Sequence, residues 1–211
     1  MKTTRPLGLA LGLLLLCTGS AAAADTVAER YRDSYAHEAR GEYAKALAAI
    51  DGLPPAQRKT YVYQLRRGWL LYLQGRHWDA IEAYRVAITL QPRAIEPRLG
   101  IMLPEAALRL WLDVLQTGEA VRSRDDHNYL ATSRMAWAAY SLGRFAQAER
   151  LYAELVELHP ADVEMRAGVG WSRLKQGRRL AARASFEAVL LIAPDHASAR
   201  LGLVLAKAPA Q

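Results

Sequence analysis

Apolar residues recur along most of the chain with the spacing of amphipathic helices. The segments 78–90 and 146–158, for example, place apolar side chains three or four residues apart and consist largely of good helix formers. No segment shows the alternation of apolar and polar residues, bounded by turn residues, that is typical of strands. The pattern therefore predicts an all-α protein.

The first 24 residues differ from the rest and have the features of a secretory signal peptide. Two basic residues precede an apolar run, residues 7–17, which is shorter than the roughly 20 residues that a membrane-spanning helix needs. A run of alanines ending at Ala24 fits the small-residue pattern of a cleavage site. We therefore expect an exported protein that is cleaved near Ala24.

Cys17 is the only cysteine of the chain and lies inside this predicted signal peptide. It raises the alternative of a lipid-anchored protein, but lipoprotein signals usually have a small residue before the cysteine, and Leu16 stands there. Export without a lipid anchor is therefore favoured. Residues 25–211 then contain no thiol, so disulfides, cysteine nucleophiles and cysteine-ligated metals are excluded from them.

Residues 25–211 contain a repeat with a period of 34 residues. Glycine recurs on this period, alanine follows each glycine by five residues, and a large side chain follows the alanine by four. Proline closes three of the units. The main repeat positions are Gly41, Gly75, Ala80, Tyr84, Pro92, Gly143, Ala148, Tyr152, Pro160, Gly177, Ala182, Phe186 and Pro194.

This pattern predicts units made of two helices joined by a tight turn. Glycine permits the turn because it adopts positive φ without a Cβ clash. The small alanine lets the second helix approach the first closely, and the large residue one turn later fills the space between them. Proline ends the second helix and begins the next connection.

These residues resemble the tetratricopeptide repeat family, whose units of 34 residues carry a small residue, an aromatic residue and a terminal proline at matching positions. The resemblance implies a helical-hairpin solenoid, wound as a right-handed superhelix of about five helix pairs, with a capping helix at its C-terminal end. The units are predicted near residues 27–58, 61–92, 94–128, 129–160 and 163–194, and the cap near 197–207.

The third unit departs from the pattern. The period predicts glycine at position 109, where the chain has Arg109, and an apolar helix is predicted over residues 104–116 instead. We therefore expect a shortened, irregular unit followed by a polar loop, residues 117–128, that restores the register. Long loops in compact domains often have a function, so this loop is a secondary candidate for a contact site.

Aromatic residues recur at the ninth position of the first helix of a unit. In the repeat family, positions 2, 5, 9 and 12 of that helix face a concave groove, so the resemblance implies a groove lined by aromatic rings, with two arginines near its edge. The residues predicted to bind a partner in this groove are Tyr31, Tyr35, Leu65, Arg66, Trp69, Tyr72, Arg134, Trp137, Tyr140 and Trp171.

Two interpretations of the repeated tryptophans are compatible with the sequence. They line a binding groove, or they pack between successive first helices, as a residue repeated at one unit position does in a repetitive core. An aromatic groove suits the apolar side chains of a peptide, and it also suits the flat faces of sugars. The carboxylate clamp of the family is excluded, because its asparagine position holds Tyr35, Trp69, Trp137 and Trp171.

No catalytic or metal-binding constellation can be assembled from the sequence. It has no serine-nucleophile motif or phosphate-binding loop, and none of its five histidines has a second histidine at the spacing of a helical zinc site. We therefore predict a protein that is not an enzyme and needs neither a cofactor nor a metal. The net charge of +7 raises three candidate ligands, an anionic polysaccharide, lipid headgroups or an acidic partner, but an arginine-rich composition of solvated helix faces is the favoured explanation. Export argues against nucleic acid.

The expected function follows from the groove and the signal peptide. We expect a periplasmic scaffold of a Gram-negative bacterium, without a transmembrane segment in the mature chain, which binds a protein partner in cell-envelope assembly or secretion. The alternative is a subunit of an exopolysaccharide export system that binds an anionic polysaccharide. The sequence gives no prediction for homo-oligomerisation.

Overall fold

The computed structural model describes residues 18–208. This part of the chain forms α-helices and one short 3-10 helix and contains no strand, so the predicted all-α fold is confirmed. In chain order the helices are α1 (Thr18–Ala39), α2 (Tyr43–Asp51), α3 (Tyr61–Leu73), α4 (His77–Leu90), α5 (Glu96–Ala107), α6 (Trp111–Arg122), α7 (Tyr129–Ser141), α8 (Phe145–Leu158), α9 (Val163–Lys175), α10 (Arg179–Ile192) and α11 (Ala197–Lys207).

Each helix packs mainly on its neighbours along the chain, which gives a solenoid of helix pairs. The pairs are α1–α2, α3–α4, α5–α6, α7–α8 and α9–α10, and α11 packs on the last pair. First helices of successive pairs also contact one another: α3 contacts α5, and α5 contacts α7. Among residues 18–208, second helices make no comparable contacts with one another. The first helices therefore form the inner, more closely spaced layer of the solenoid.

Every pair turns at a residue with positive φ. This angle is 72° at Gly41, 74° at Gly75 and 75° at both Gly143 and Gly177, and it is 60° at Arg109. A Cβ atom at the four glycines would have no neighbour within 4 Å. The backbone angle, and not a lack of space, is therefore what favours glycine at these turns.

The third pair is regular, which corrects the expectation of a shortened unit. The helix predicted over 104–116 is the end of α5 and the start of α6, and the turn between them lies at Arg109. The loop predicted over 117–128 is helical as far as Arg122. The prediction was wrong because Arg109 adopts the left-handed conformation in place of glycine, at a conformational cost of about 1 kcal/mol.

Aromatic residues of the second helices pack on small residues of the first helices. A Cβ atom added to Gly68 would lie 2.9 Å from the ring of Tyr84, and one added to Gly170 would lie 2.7 Å from the ring of Phe186. The third pair has Gly118 at the aromatic position, and the side chain of Met135 from α7 occupies the space. The same packing is thus built from different residues.

The last helix covers the fifth pair with its small residues. Ala199, Gly202 and Ala206 are buried, whereas Leu201 and Val204 on the opposite face are exposed. The outer face of this capping helix is therefore apolar, unlike the polar outer face that caps of solenoids usually have.

Most of the predicted signal peptide, residues 1–17, lies outside the described residues. Helix α1 begins at Thr18 and so includes the predicted cleavage region at Ala24. Within residues 18–208, no helix has both the length and the apolar character needed to cross a membrane.

Candidate functional site

The predicted groove residues lie on the first helices α1, α3, α7 and α9, that is, in the inner layer of the solenoid. They do not form one continuous surface of exposed rings. The structure places them in a group between α1 and α3, a group on α7, and the separate Trp171 on α9.

The group between α1 and α3 is held by a polar network. Arg66 is buried, donates from Nε to Oγ of Ser34 at 3.2 Å, and forms an ion pair with the carboxylate of Glu38. Its guanidinium lies 3.8 Å from the centroid of the Tyr35 ring. Trp69 donates from Nε1 to Oε1 of Glu38 at 2.6 Å. This network joins the first two pairs, so Arg66 does not stand free at a groove edge as predicted.

The other predicted residues of this group are half-buried. Tyr31, Leu65, Trp69 and Tyr72 pack against the core of the first two pairs, and burial raises the pKa of the Tyr31 hydroxyl. Tyr35 is the exception, with 57% of its surface exposed. Most of these rings therefore contribute to packing between helices.

Trp171 also has a packing role. Its ring meets that of Phe186 edge to face at a centroid distance of 5.3 Å, and its Nε1 donates to Oγ of Ser198 at 2.8 Å. Because Ser198 belongs to α11, this tryptophan joins the capping helix to the last pair. For Trp69 and Trp171, the packing interpretation describes the observed contacts.

Trp137 differs from the other two tryptophans. It is 53% exposed and is not part of any buried cluster of the described residues. Its ring stacks on Tyr140 at 6.0 Å with an interplanar angle of 11°, and Tyr140 meets Phe145 edge to face at 5.3 Å. The groove interpretation therefore fits Trp137.

Arg134, the second arginine predicted at the groove edge, lies beneath this surface. It is half-buried, and its Nη1 donates to the carbonyl oxygen of Leu99 at 2.6 Å. Burial lowers the pKa of its guanidinium. Arg134 therefore links α7 to α5, and we do not assign it to a partner-binding surface.

An open pocket with a volume of about 580 Å³, here called the central pocket, lies next to Trp137. It has aromatic walls and two cations, and no carboxylate or amide side chain of the described residues lines it. Its lining residues are Ala106, Ala107, Arg109, Trp111, Trp137, Tyr140, Ser141, Gly143, Phe145 and Lys175.

Sequence reasoning missed four functional candidates in this pocket: Arg109, Trp111, Phe145 and Lys175. Trp111 was placed inside one long helix, whereas the turn at Arg109 makes it the first residue of α6. A signal was available, since Trp111 and Phe145 lie 34 residues apart and both begin a second helix. Tyr43 begins α2 in the same way and lines a second open pocket, beside Trp69.

The described residues contain no group of three His, Cys, Asp or Glu side chains placed to share a metal ion. Burial between α5 and α6 raises the pKa of the Glu105 carboxyl group to about 7. Its Oε1 accepts a hydrogen bond from Oγ1 of Thr117 at 3.2 Å, and Oε2 has no hydrogen-bond partner within residues 18–208. Glu105 does not line the central pocket, so its environment is a feature of the helix pair.

Comparisons with known proteins agree with this architecture. A family model described as a tetratricopeptide repeat matches residues 133–178 and 168–208. A search of curated proteins finds no match.

Several solved structures are similar in fold. A tetratricopeptide repeat protein from Parabacteroides merdae is 16% identical, with a TM-score of 0.78, and the match covers 86% of this chain and 72% of that one. MamA from Desulfovibrio magneticus is 14% identical, with a TM-score of 0.76, over 82% of this chain and 98% of that one. The repeat model thus places tetratricopeptide repeats in residues 133–208, and the solved structures share the helical solenoid fold over most of the chain.

Proposed function

We propose that this tetratricopeptide repeat protein is a scaffold that binds a protein partner on the inner layer of its solenoid, with the central pocket as the main contact. The observation that carries the proposal is Trp137, a large ring that is 53% exposed although it lies on a first helix. An exposed aromatic ring adds little to the core, whereas at protein interfaces tryptophan often contributes about 2 kcal/mol or more.

The lining of the central pocket favours a protein over a polysaccharide. Sugar hydroxyls need hydrogen-bond partners when they leave water, and carboxylate and amide side chains usually provide them. Among the described residues the pocket offers two cations and the hydroxyls of Ser141 and Tyr140, but no carboxylate or amide side chain. Apolar and charged side chains of a peptide match this surface better.

The setting of the scaffold is proposed from the sequence. The predicted signal peptide supports export to the periplasm of a Gram-negative bacterium, where assembly of the cell envelope or secretion would supply partners. The repeat family supports a non-catalytic role, because the fold builds extended binding surfaces from repeated helix pairs.

Affinity capture tests the proposal. The purified protein is immobilised, exposed to an envelope extract, and compared with the variants Trp137→Ala and Trp78→Ala, and the bound proteins and glycans are identified. Trp78 is a matched control because it is also exposed, at 60%, but belongs to the second helix α4. We expect Trp137→Ala to reduce retention of a specific protein about tenfold or more and Trp78→Ala to leave it unchanged.

Two results would contradict the proposal. Retention of the same proteins by Trp137→Ala, with loss in Trp78→Ala, would assign binding to the second helices. Specific retention of an acidic glycan alone, with dependence on Trp137, would replace the protein-binding role with the polysaccharide alternative. Circular dichroism of both variants shows whether the fold is intact.

A further inference from the structure

We infer that the central pocket selects an acidic segment of the partner: an extended peptide whose aspartate or glutamate lies between Arg109 and Lys175 and whose neighbouring apolar side chain lies on Trp137. This inference rests on the proposed function and names the chemistry of the partner.

Two cations in the central pocket have no ion-pair partner in the part of the chain that the structure describes. Arg109 comes from the turn between α5 and α6, and Lys175 from the last turn of α9. Within residues 18–208, neither side chain forms a hydrogen bond or an ion pair, and no carboxylate lines the pocket. Two like charges beside apolar walls create a local positive potential, which favours a negatively charged ligand group.

Arg109 has an unfavourable backbone conformation. Four of the five turns between paired helices have glycine with a φ between 72° and 75°, and the third has Arg109 at 60°. Glycine would relieve the strain, and the other four turns show that the fold accepts glycine at this point of a helix pair. Strained residues are enriched at functional sites. The arginine supplies what glycine cannot, a cation in the lining of the central pocket.

The pocket near α1 provides an internal comparison. It has a similar volume, about 570 Å³, and aromatic walls that include Tyr35, Tyr43 and Trp69. Its cation, however, is Arg66, which already forms an ion pair with Glu38. A carboxylate entering that pocket would find a neutralised cation. The preference for an acidic ligand is therefore a property of the central pocket.

The aromatic walls supply the second part of the recognition. Trp111 and Phe145 each begin a second helix, and Trp137 and Tyr140 stack on α7. Apolar side chains bury surface against such rings, while an acidic side chain reaches the cations. An acidic residue next to an aromatic or aliphatic one is thus the expected sequence feature of the bound segment.

A paired peptide array tests this inference. Each random-sequence peptide is synthesised with its aspartate and glutamate residues and again with asparagine and glutamine in their places, and the labelled protein is applied to both. We expect enriched peptides to pair an acidic with an apolar residue and their amide forms to bind at least fivefold more weakly in solution titrations. In the variant Arg109→Gln, Lys175→Gln, this difference should fall below twofold.

The control variant Arg76→Gln, Arg183→Gln removes the same net charge. Both arginines are exposed and pair with carboxylates three or four residues later in the chain, Asp79 and Glu187, so this variant should keep the preference for acidic peptides. If the pocket variant does not fold, Lys175→Gln alone, in an exposed position at the end of α9, should reduce the preference by at least half.

The inference is overturned if acidic and amide peptides bind equally, or if the pocket variant discriminates as well as the control. It is also overturned if the soluble polyuronate alginate binds with the same dependence on both cations while no peptide is enriched. Equal binding of acidic and amide peptides, or equal discrimination by the pocket and control variants, would leave the Trp137-dependent affinity capture intact. These two results would therefore contradict only the preference for an acidic ligand. Affinity capture that does not depend on Trp137 would contradict the proposed function itself.

Discussion

At the scale of single residues, two features stand out: the backbone conformation of the turn in each helix pair, and a carboxyl group buried in the core. The five turns have one backbone conformation, which glycine adopts freely and Arg109 adopts under strain. The buried Glu105 places a titratable group where its charged form is poorly solvated. Both residues lie in the third pair, so we expect this pair to respond most clearly to point mutations.

Replacing Arg109 with glycine should stabilise the fold. The change removes the strain of a side chain at a φ of 60°, and part of the gain is offset because glycine is more flexible in the unfolded chain. We expect the free energy of unfolding to rise by up to about 1 kcal/mol in urea titrations. The control Gly143→Ala should lower it by a similar amount. A destabilising Arg109→Gly would show that the arginine side chain stabilises the turn.

Replacing Glu105 with glutamine should change how stability depends on pH. The pKa of Glu105 is raised by burial to about 7, above its ordinary value of 4.5. The protonated side chain therefore contributes fully to the free energy of unfolding below about pH 4.5, and this contribution is lost as the pH rises through 7. The stability of Glu105→Gln relative to wild type should increase by on the order of 2 kcal/mol between pH 4 and pH 8. A constant difference across this range would contradict the raised pKa.

At the scale of elements, the first helices α3, α7 and α9 and the capping helix α11 begin at side-chain caps on the repeat period. Thr60, Asn128, Asp162 and His196 each accept a hydrogen bond from the backbone N–H three residues later, at distances between 3.0 and 3.4 Å. Helix α5 has no such cap. The caps satisfy N–H groups that a helix start leaves without partners.

Removing one cap should weaken the helix that it begins. Asn128→Ala loses the hydrogen bond to the N–H of Ala131, which is 3.0 Å long, and we expect a loss of about 1 kcal/mol in the free energy of unfolding. Asn128→Asp keeps an acceptor at this position and should lose much less. Equal losses in the two variants would mean that the cap is not the stabilising feature of Asn128.

Overpacking tests the contact inside a helix pair. Ala148 is fully buried in α8, so Ala148→Leu should lower the free energy of unfolding by about 1–3 kcal/mol. Ala146 lies in an exposed position of the same helix, and Ala146→Leu should change stability by less than about 0.5 kcal/mol. Similar unfolding midpoints for the two variants would contradict the register of this helix.

The regular second helices could be predicted from sequence because glycine, alanine and an aromatic residue appear there in fixed order. The third pair could not, because Arg109 replaces the glycine and Gly118 replaces the aromatic residue. The space left at Gly118 is filled by Met135 from the next pair. This compensation comes from another helix, so the local pattern does not show it.

At the scale of the whole molecule, the inner layer of the solenoid is the proposed binding surface, and only part of that layer is exposed. The repeat positions indicated which helices face inward. They did not distinguish Trp137 from Trp69 and Trp171, whose N–H groups donate to Glu38 and Ser198 on other helices. The central pocket combines α5, α6, α7, α8 and α9, and this combination depends on the tertiary arrangement.

The most direct test of the protein-binding role is photo-crosslinking at Trp137. A photoreactive phenylalanine derivative is placed at position 137 in one variant and at position 78 in another, and both are irradiated in cells. We predict a covalent adduct with one specific protein from position 137 and none with that protein from position 78. Adducts of the same protein from position 78 alone, or no protein adduct from position 137, would contradict binding at the central pocket.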